Sequence, residues 1–274
     1  MLRRLKAYVR RWLERTGASE RFDDSRLYAG YLWVFFPRYA NRKRRQTNLL
    51  RRLLSDAGDR LVFDVGANVG EKAALFARVA QTVVCVEPDR TCVAALRRRF
   101  RSNPNVRIVH AGVSASSGTE ILHQIEAGSC YNTFSPKWAA LLTDTARPRF
   151  ASPPQIKAAV NVTMTTLDAL IAEYGTPSYI KIDVEGSELS VIKGLSVSVP
   201  LLSFESILPD FRDETLEILT RLREHNPHAV FNYCLDDPDP ELSSEQWLSY
   251  DEMTDFVRGA AGLLMDVYCR RAPP

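Results

Sequence analysis

The 274-residue chain has five cysteines and four histidines, with no CxxC pair and no Cys/His cluster at zinc-ligand spacing. A metal-stapled framework is therefore not expected. Cys85, Cys234 and Cys269 fall inside apolar strand-like runs, which reads as buried free thiols and points to a reducing, cytoplasmic compartment. No apolar run is long enough for a membrane span; Tyr31 to Phe36 is far too short. The N-terminus has neither the apolar core nor the small-residue cleavage site of a signal peptide. No internal repeat or low-complexity tract is visible. The three-glycine nicotinamide fingerprint is also missing, because the glycine spacing is Gly66-x-x-x-Gly70.

What is present is an ordinary globular mix, 45% hydrophobic and 25% charged, sufficient for a core of normal size. The net charge of +3 is unevenly spread. Residues 1–60 hold sixteen Lys/Arg and six Asp/Glu, a surplus of ten, so the rest carries minus seven. Leu2, Leu5, Val9, Trp12 and Leu13 recur at helical spacing with basic residues between them, predicting a helix over 2–16. Its arginines either face water beside a packed apolar stripe or lie on an anionic membrane surface, making the chain membrane-peripheral. Nucleic acid has little support, since Arg42–Arg45 stand without an RNA-binding motif. Further helices are expected over 25–36, closed by Pro37, and over 41–57. Residues 1–58 thus read as a basic helical extension and 59–274 as the main domain.

From residue 61 the pattern alternates. Strands are expected at 61–66, 82–87, 106–113, 179–183 and 200–205, with helices at 70–80, 90–101, 186–194 and 212–225 between and after them. Strands 229–235 and 263–270 flank a helix near 244–258. This alternation predicts an α/β fold with a doubly wound, mostly parallel sheet. Two extra strands, from Gly118 to Ile125 and from Val160 to Met164, bracket an irregular insertion at 127–156 that reads as a substrate loop.

Two strand ends carry chemistry. The first runs Phe63-Asp64-Val65-Gly66-Ala67-Asn68-Val69-Gly70. Gly66 permits a sharp turn and Gly70 opens a helix whose amides attract an anion. Glu87 ends the next strand, 21 residues after Gly66, where a carboxylate accepts from both hydroxyls of a ribose. Asp64, two residues before the first glycine, suits a positively charged ligand better than a pyrophosphate. S-adenosylmethionine carries an ammonium, a sulfonium and a ribose. The bland alternative is that Asp64 and the glycines only shape a turn. The second strand end runs Tyr179-Ile180-Lys181-Ile182-Asp183-Val184-Glu185-Gly186-Ser187-Glu188.

With Val86-Glu87-Pro88, Thr166-Leu167-Asp168 and Leu202-Ser203-Phe204-Glu205, these segments resemble the FkbM family of methyltransferases, in matching order from about residue 60 to 206. The resemblance implies a Rossmann-like, seven-stranded class I fold, S-adenosylmethionine as methyl donor, and O-methylation of a saccharide or natural-product hydroxyl. It places Asp64, Gly66, Asn68 and Gly70 in the cofactor loop and Glu87 on the ribose. It puts His110, Ala111 and Gly112 near the adenine, with Asp183 closing the crevice. The basic N-terminus and the insertion around Cys130-Tyr131-Asn132 are departures from the family pattern.

Hydroxyl attack on a sulfonium needs a base. Crowded carboxylates raise one another's pKa, so Asp183 or Glu185 is the candidate, with Glu205 on the neighbouring strand. The same group could instead hold a divalent metal, although no histidine stands at ligand spacing. Glu188 reads equally well as an acid of a helix's first turn. Lys181 either faces the crevice or pairs with Glu205. Two other function classes remain open: a non-catalytic module docking on a membrane or partner, and a nicotinamide oxidoreductase.

Overall fold

A computed structural model describes residues 37–55, 60–146, 149, 153–235 and 241–272, with 37–40 as helical backbone. The helices expected over 2–16 and 25–36, and the lipid contact assigned to 1–16, lie outside those residues. The first described helix, α1 (Pro37–Leu53), starts four residues before the expected 41. Pro37 is its first described residue, where a missing N–H is no loss, and the helix that it was expected to close lies outside the described residues. Among the described residues no helix is long and apolar enough to cross a membrane.

The main sheet has seven strands: β1 (Leu61–Val65), β2 (Thr82–Glu87), β3 (Val106–His110), β7 (Tyr179–Ile182), β8 (Leu201–Leu208), β9 (Ala229–Leu235) and β10 (Leu263–Arg271). Their spatial order is β3-β2-β1-β7-β8-β10-β9, parallel except for β10, which runs antiparallel to β8 and β9. Strand order reverses between β1 and β7. The crevice outside their carboxyl ends is therefore the expected ligand site.

Side-chain alternation along the strands builds two cores. Phe63, Val65, Ile180, Ile182 and Phe204 pack with α5 (Leu167–Tyr174), α6 (Glu188–Lys193), α7 (Arg212–His225) and α8 (Tyr250–Gly259). Val62, Val83, Cys85 and Tyr179 form the other core, with Leu50 and Leu54 from the α1 region, Phe76 from α2 (Glu71–Phe76) and Leu96 from α3 (Arg90–Arg99). The cysteines Cys85, Cys234 and Cys269 are buried free thiols.

The strand expected over 106–113 is two strands. β3 stops at His110, and β4 (Gly112–Val113) pairs instead with β6 (Ala158–Thr165), which pairs with β5 (Gly118–Gln124) in a separate three-stranded sheet. The close approach that diverts the chain needs glycine: a Cβ on Gly112 would lie 2.6 Å from the Met164 side chain and 2.9 Å from Phe134.

The insertion at 127–156 is not irregular throughout. It contains helix α4 (Pro136–Thr143), whose N-cap Ser135 accepts from the Trp138 amide at 3.1 Å. Trp138, Leu142 and Phe211 bury one another. The insertion is tied down at Asp89, the N-cap of α3. One oxygen accepts from the Thr91 amide at 2.7 Å; the other accepts from Gln124 Nε2 at 2.8 Å, the Gly128 amide at 3.0 Å and Asn132 Nδ2 at 2.9 Å. Burial works against its charge, but the amides of Gly128, Thr91 and Cys92 and the Asn132 side chain outweigh it and hold the pKa below the usual value. A depressed carboxyl pKa stabilises above the unfolded value, ~3.9, and that contribution disappears as pH falls through the folded one. Asp89→Ala should cost about 1 kcal/mol for the cap alone and orphan three further donors. The expected result is a lower melting temperature and faster proteolysis within 124–132, with far-UV circular dichroism preserved. Unchanged proteolysis would show that the tie is not the anchor.

Candidate functional site

The loop after β1 is shaped by close contacts within the protein. Gly66 has φ 83°, and a Cβ there would lie 1.8 Å from the Asp183 carbonyl oxygen, so the ends of β1 and β7 touch through backbone. At Gly70, φ 81°, a Cβ would lie 2.7 Å from Leu96 and Phe100 of the α3 region. Asn68, also left-handed at φ 48°, aims its amide at Glu87.

Glu87 is buried at the end of β2. Its two oxygens accept from the amides of Asn68, at 2.7 Å, and Asp89, at 2.8 Å. Burial pushes its pKa up to about 7 despite those two donors. Each oxygen keeps a second lone pair for a ligand hydroxyl.

Glu87 lies in a cleft enclosing about 640 Å³, mouth included, lined also by Gly66, Asn68, Ala111, Gly112, Asp183 and Glu185. Seven of the residues singled out from sequence thus line one cavity. Val86, Leu122 and Phe134 give it an apolar wall. Its charged lining residues are Glu87, Asp89, Asp183 and Glu185, with no Lys or Arg among them.

Asp64 and Gly70 are not in that lining. Strand alternation puts Asp64 on the same sheet face as Val62, under α2, where it is 1% exposed and neither oxygen meets a hydrogen-bond partner. Burial raises its pKa to about 6, opposed chiefly by the nearby ammoniums of Lys181 and Lys72. His110 also lies outside the cleft lining, its Nε2 3.2 Å from the Pro88 carbonyl.

Beyond β7 a group of carboxylates converges. Lys181, 3% exposed, donates to Asp183 Oδ2 at 2.5 Å. This resolves its orientation: it pairs with Asp183 rather than Glu205. Burial disfavours its charge, yet Asp183, Asp266 and Asp64 around it hold it charged, its pKa above the usual lysine value. In return Lys181 overrides the burial of Asp183 and keeps that carboxyl below its ordinary range. The neighbours lacking such a partner go the other way. Glu185 rises to about 8 through burial and the charges of Asp183 and Glu188. Glu205 rises to about 10 through burial and the same crowd. Crowding therefore separates the carboxyls rather than raising them all.

Asp183, Glu185 and Glu205 bring one oxygen each within 4.8 Å of one another. A divalent cation or proton uptake can dissipate such charge. Lys181, bound to Asp183, already supplies one positive charge to this group.

Glu188 accepts from the Val184 amide at 3.1 Å and the Gly186 amide at 3.2 Å, so it holds the loop rather than facing the cleft. Glu185 itself is left-handed at φ 55° and is gripped by the insertion. Thr133 Oγ1 donates to its carbonyl at 2.6 Å, and Trp138 Nε1 donates to its carboxylate at 3.0 Å. Sequence reasoning missed Asp89, Thr133 and Trp138. The Ser135-Pro136 pair, a cap followed by proline at the first helical position, was the available signal for α4.

The chain matches the Methyltransferase FkbM domain over residues 64–227. No curated protein matches it. Among solved structures it is similar to an O-methyltransferase from Bacillus cereus in complex with SAH, at 12% identity over 83% of this chain and 80% of that one, TM-score 0.42. It is also similar to the plantazolicin methyltransferase BpumL, in complex with a triazolic desmethylPZN analog and SAH, at 9% identity over 90% of each chain, TM-score 0.41. A third likeness is to precorrin-6y C5,15-methyltransferase from Geobacter metallireducens, at 10% identity over 83% of this chain and 87% of that one, TM-score 0.40.

Replacing the buried cation tests the charge arrangement. Lys181→Met leaves Asp183, Asp64 and Asp266 uncompensated, an expected loss of roughly 3–5 kcal/mol. The stranded carboxyls shed their charge on protonation, so the deficit should shrink between pH 8 and pH 5.5. Urea denaturation at both values checks this; an equal deficit at the two would locate the loss in packing.

Proposed function

The chain belongs to the FkbM family of class I methyltransferases, which use S-adenosylmethionine as methyl donor, and we propose that it methylates a hydroxyl of a saccharide or natural-product acceptor with Glu185 as general base. When bound, the donor supplies a methyl group on a sulfonium, open to in-line displacement. The cleft suits it on three counts. Glu87 offers both carboxylate oxygens to the ribose hydroxyls. Val86, Leu122, Phe134 and Ala111 offer an apolar slot for the adenine. Four carboxyl groups and no basic side chain in the lining favour a ligand with a sulfonium and an ammonium.

The observation that carries the base assignment is the division between adjacent acids. Asp183 is held charged by Lys181 and is a weak proton acceptor. Glu185, two residues on and in the same cleft, has a pKa near 8 and a far higher proton affinity. A hydroxyl nucleophile must lose its proton as the new bond forms, and a positioned base contributes typically ~10²–10⁴-fold. A neutral amine attacks without that help, so a base tuned in this way favours a hydroxyl acceptor. The insertion, which closes over Glu185, selects that acceptor.

Calorimetric titration tests the cofactor site first. S-adenosylhomocysteine should bind with micromolar affinity and NADH should not bind at all. Glu87→Ala should weaken the former at least tenfold; unaltered affinity would sink the ribose assignment, and NADH binding would restore the oxidoreductase alternative.

Radiolabelled methyl transfer to a panel of hydroxylated saccharides and natural products, with amines and RNA beside them, tests the reaction. Glu185 must be ionised to act, so turnover should climb as pH rises through about 8. Glu185→Gln should lower kcat by ~10²-fold or more while cofactor affinity stays unchanged. Label appearing on amines or RNA instead would reject the hydroxyl acceptor.

A further inference from the structure

We infer that Trp138 is a positioning residue: its indole N–H holds one carboxylate oxygen of Glu185 in the crevice, giving the insertion control over that group's proton. The inference rests on the reading of Glu185 as the base and goes beyond it by placing that base under a residue some fifty positions away on another element.

The geometry is specific. Trp138 Nε1 lies 3.0 Å from Glu185 Oε2. The indole N–H can only donate, and the ring is 5% exposed, so without Glu185 the donor would be stranded. The ring has little freedom to turn away. It meets Phe211 edge-on at a centroid distance of 5.9 Å, and the Arg149 guanidinium lies 5.3 Å from its centroid. A Cβ on Gly186 would come within 2.9 Å of the Trp138 Cβ, so α4 is pressed against the loop that carries Glu185. Thr133 Oγ1 fixes the Glu185 carbonyl at 2.6 Å, leaving the side chain as the adjustable part.

The charged groups around Glu185 are Asp183 and Lys181 from β7 and its end, Glu188 from α6, Glu205 from β8, and the ionisable Cys130 and Tyr131 from the insertion. The cation among them is committed to Asp183. Asp183 and Glu188 oppose ionisation of Glu185, and the charge of Glu185 in turn raises the pKa of Glu205 and of the Cys130 thiol. The Trp138 N–H works in the opposite sense, because a hydrogen bond donated to a carboxylate favours its charged form. Seating of the insertion, secured at its other side by Asp89, is thereby transmitted to the base as one hydrogen bond.

The test needs no acceptor. With all tryptophans labelled with ¹⁵N, the indole resonance lost in Trp138→Phe identifies Trp138 among the four in the chain. In the unaltered protein that resonance should titrate with a midpoint near 8, and Glu185→Gln should abolish the titration. With ¹³C-carboxyl glutamate, the Glu185 resonance in Trp138→Phe should titrate about one pH unit higher than in the unaltered protein. Leu142→Ala, a cavity in the same cluster, serves as the packing control: its melting temperature should fall with the midpoint in place. A midpoint unmoved in Trp138→Phe, or moved equally by Leu142→Ala, overturns the inference. The signals do not depend on turnover. Failure here with Glu185→Gln still inactive removes only the role of Trp138, whereas a fully active Glu185→Gln removes the base itself.

Discussion

One buried ammonium governs the switch point of this sheet. Lys181 stands where β7 meets β1, paired in register with Asp64, bonded to Asp183 and under the influence of Asp266. A lysine so buried is tolerated only because acids surround it, and the acids are tolerated because it is there. It cannot satisfy all of them. Asp183 receives its hydrogen bond and stays ionised, while Asp64 keeps two oxygens without a partner.

That inequality produces chemical differentiation from near-identical groups. Asp183 and Glu185 are two residues apart and differ by one methylene, yet burial and charge push their proton affinities in opposite directions. A site that needs one permanently negative carboxylate and one that can take up a proton obtains both from a single turn of chain. The left-handed backbone at Glu185 turns its carboxylate away from the strand and toward the insertion.

The insertion is part of the site rather than an appendage to it. Its two anchors differ in character. Asp89 gathers three donors from β5 and the following loop and also caps α3, linking the insertion to the side of the cleft where Glu87 lies. Thr133 and Trp138 attach to Glu185 at the opposite wall. The cleft is thus spanned by hydrogen bonds to the very acids that line it, so the insertion is coupled to both of its walls.

Much of this was legible in the chain itself. Short, nearly continuous apolar runs alternating with helical ones specify the parallel sheet, because a strand buried on both faces and a crossover helix leave different spacings. Glycines and acids at the ends of β1, β2 and β7 mark the crevice, because only strand ends there reach a ligand. The local code could not say which face Asp64 would take relative to the cleft, nor that Gly66 answers to the Asp183 carbonyl, because both depend on the register between β1 and β7. It read the segment holding α4 as irregular, since the apolar face of that helix is matched only by Phe211, far along the sequence. The sequence by itself determined the fold class, the strand-end acids and the family. Tertiary structure decided which acid Lys181 neutralises and which one Trp138 grips, because pKa depends on burial and on neighbours brought together from distant parts of the chain.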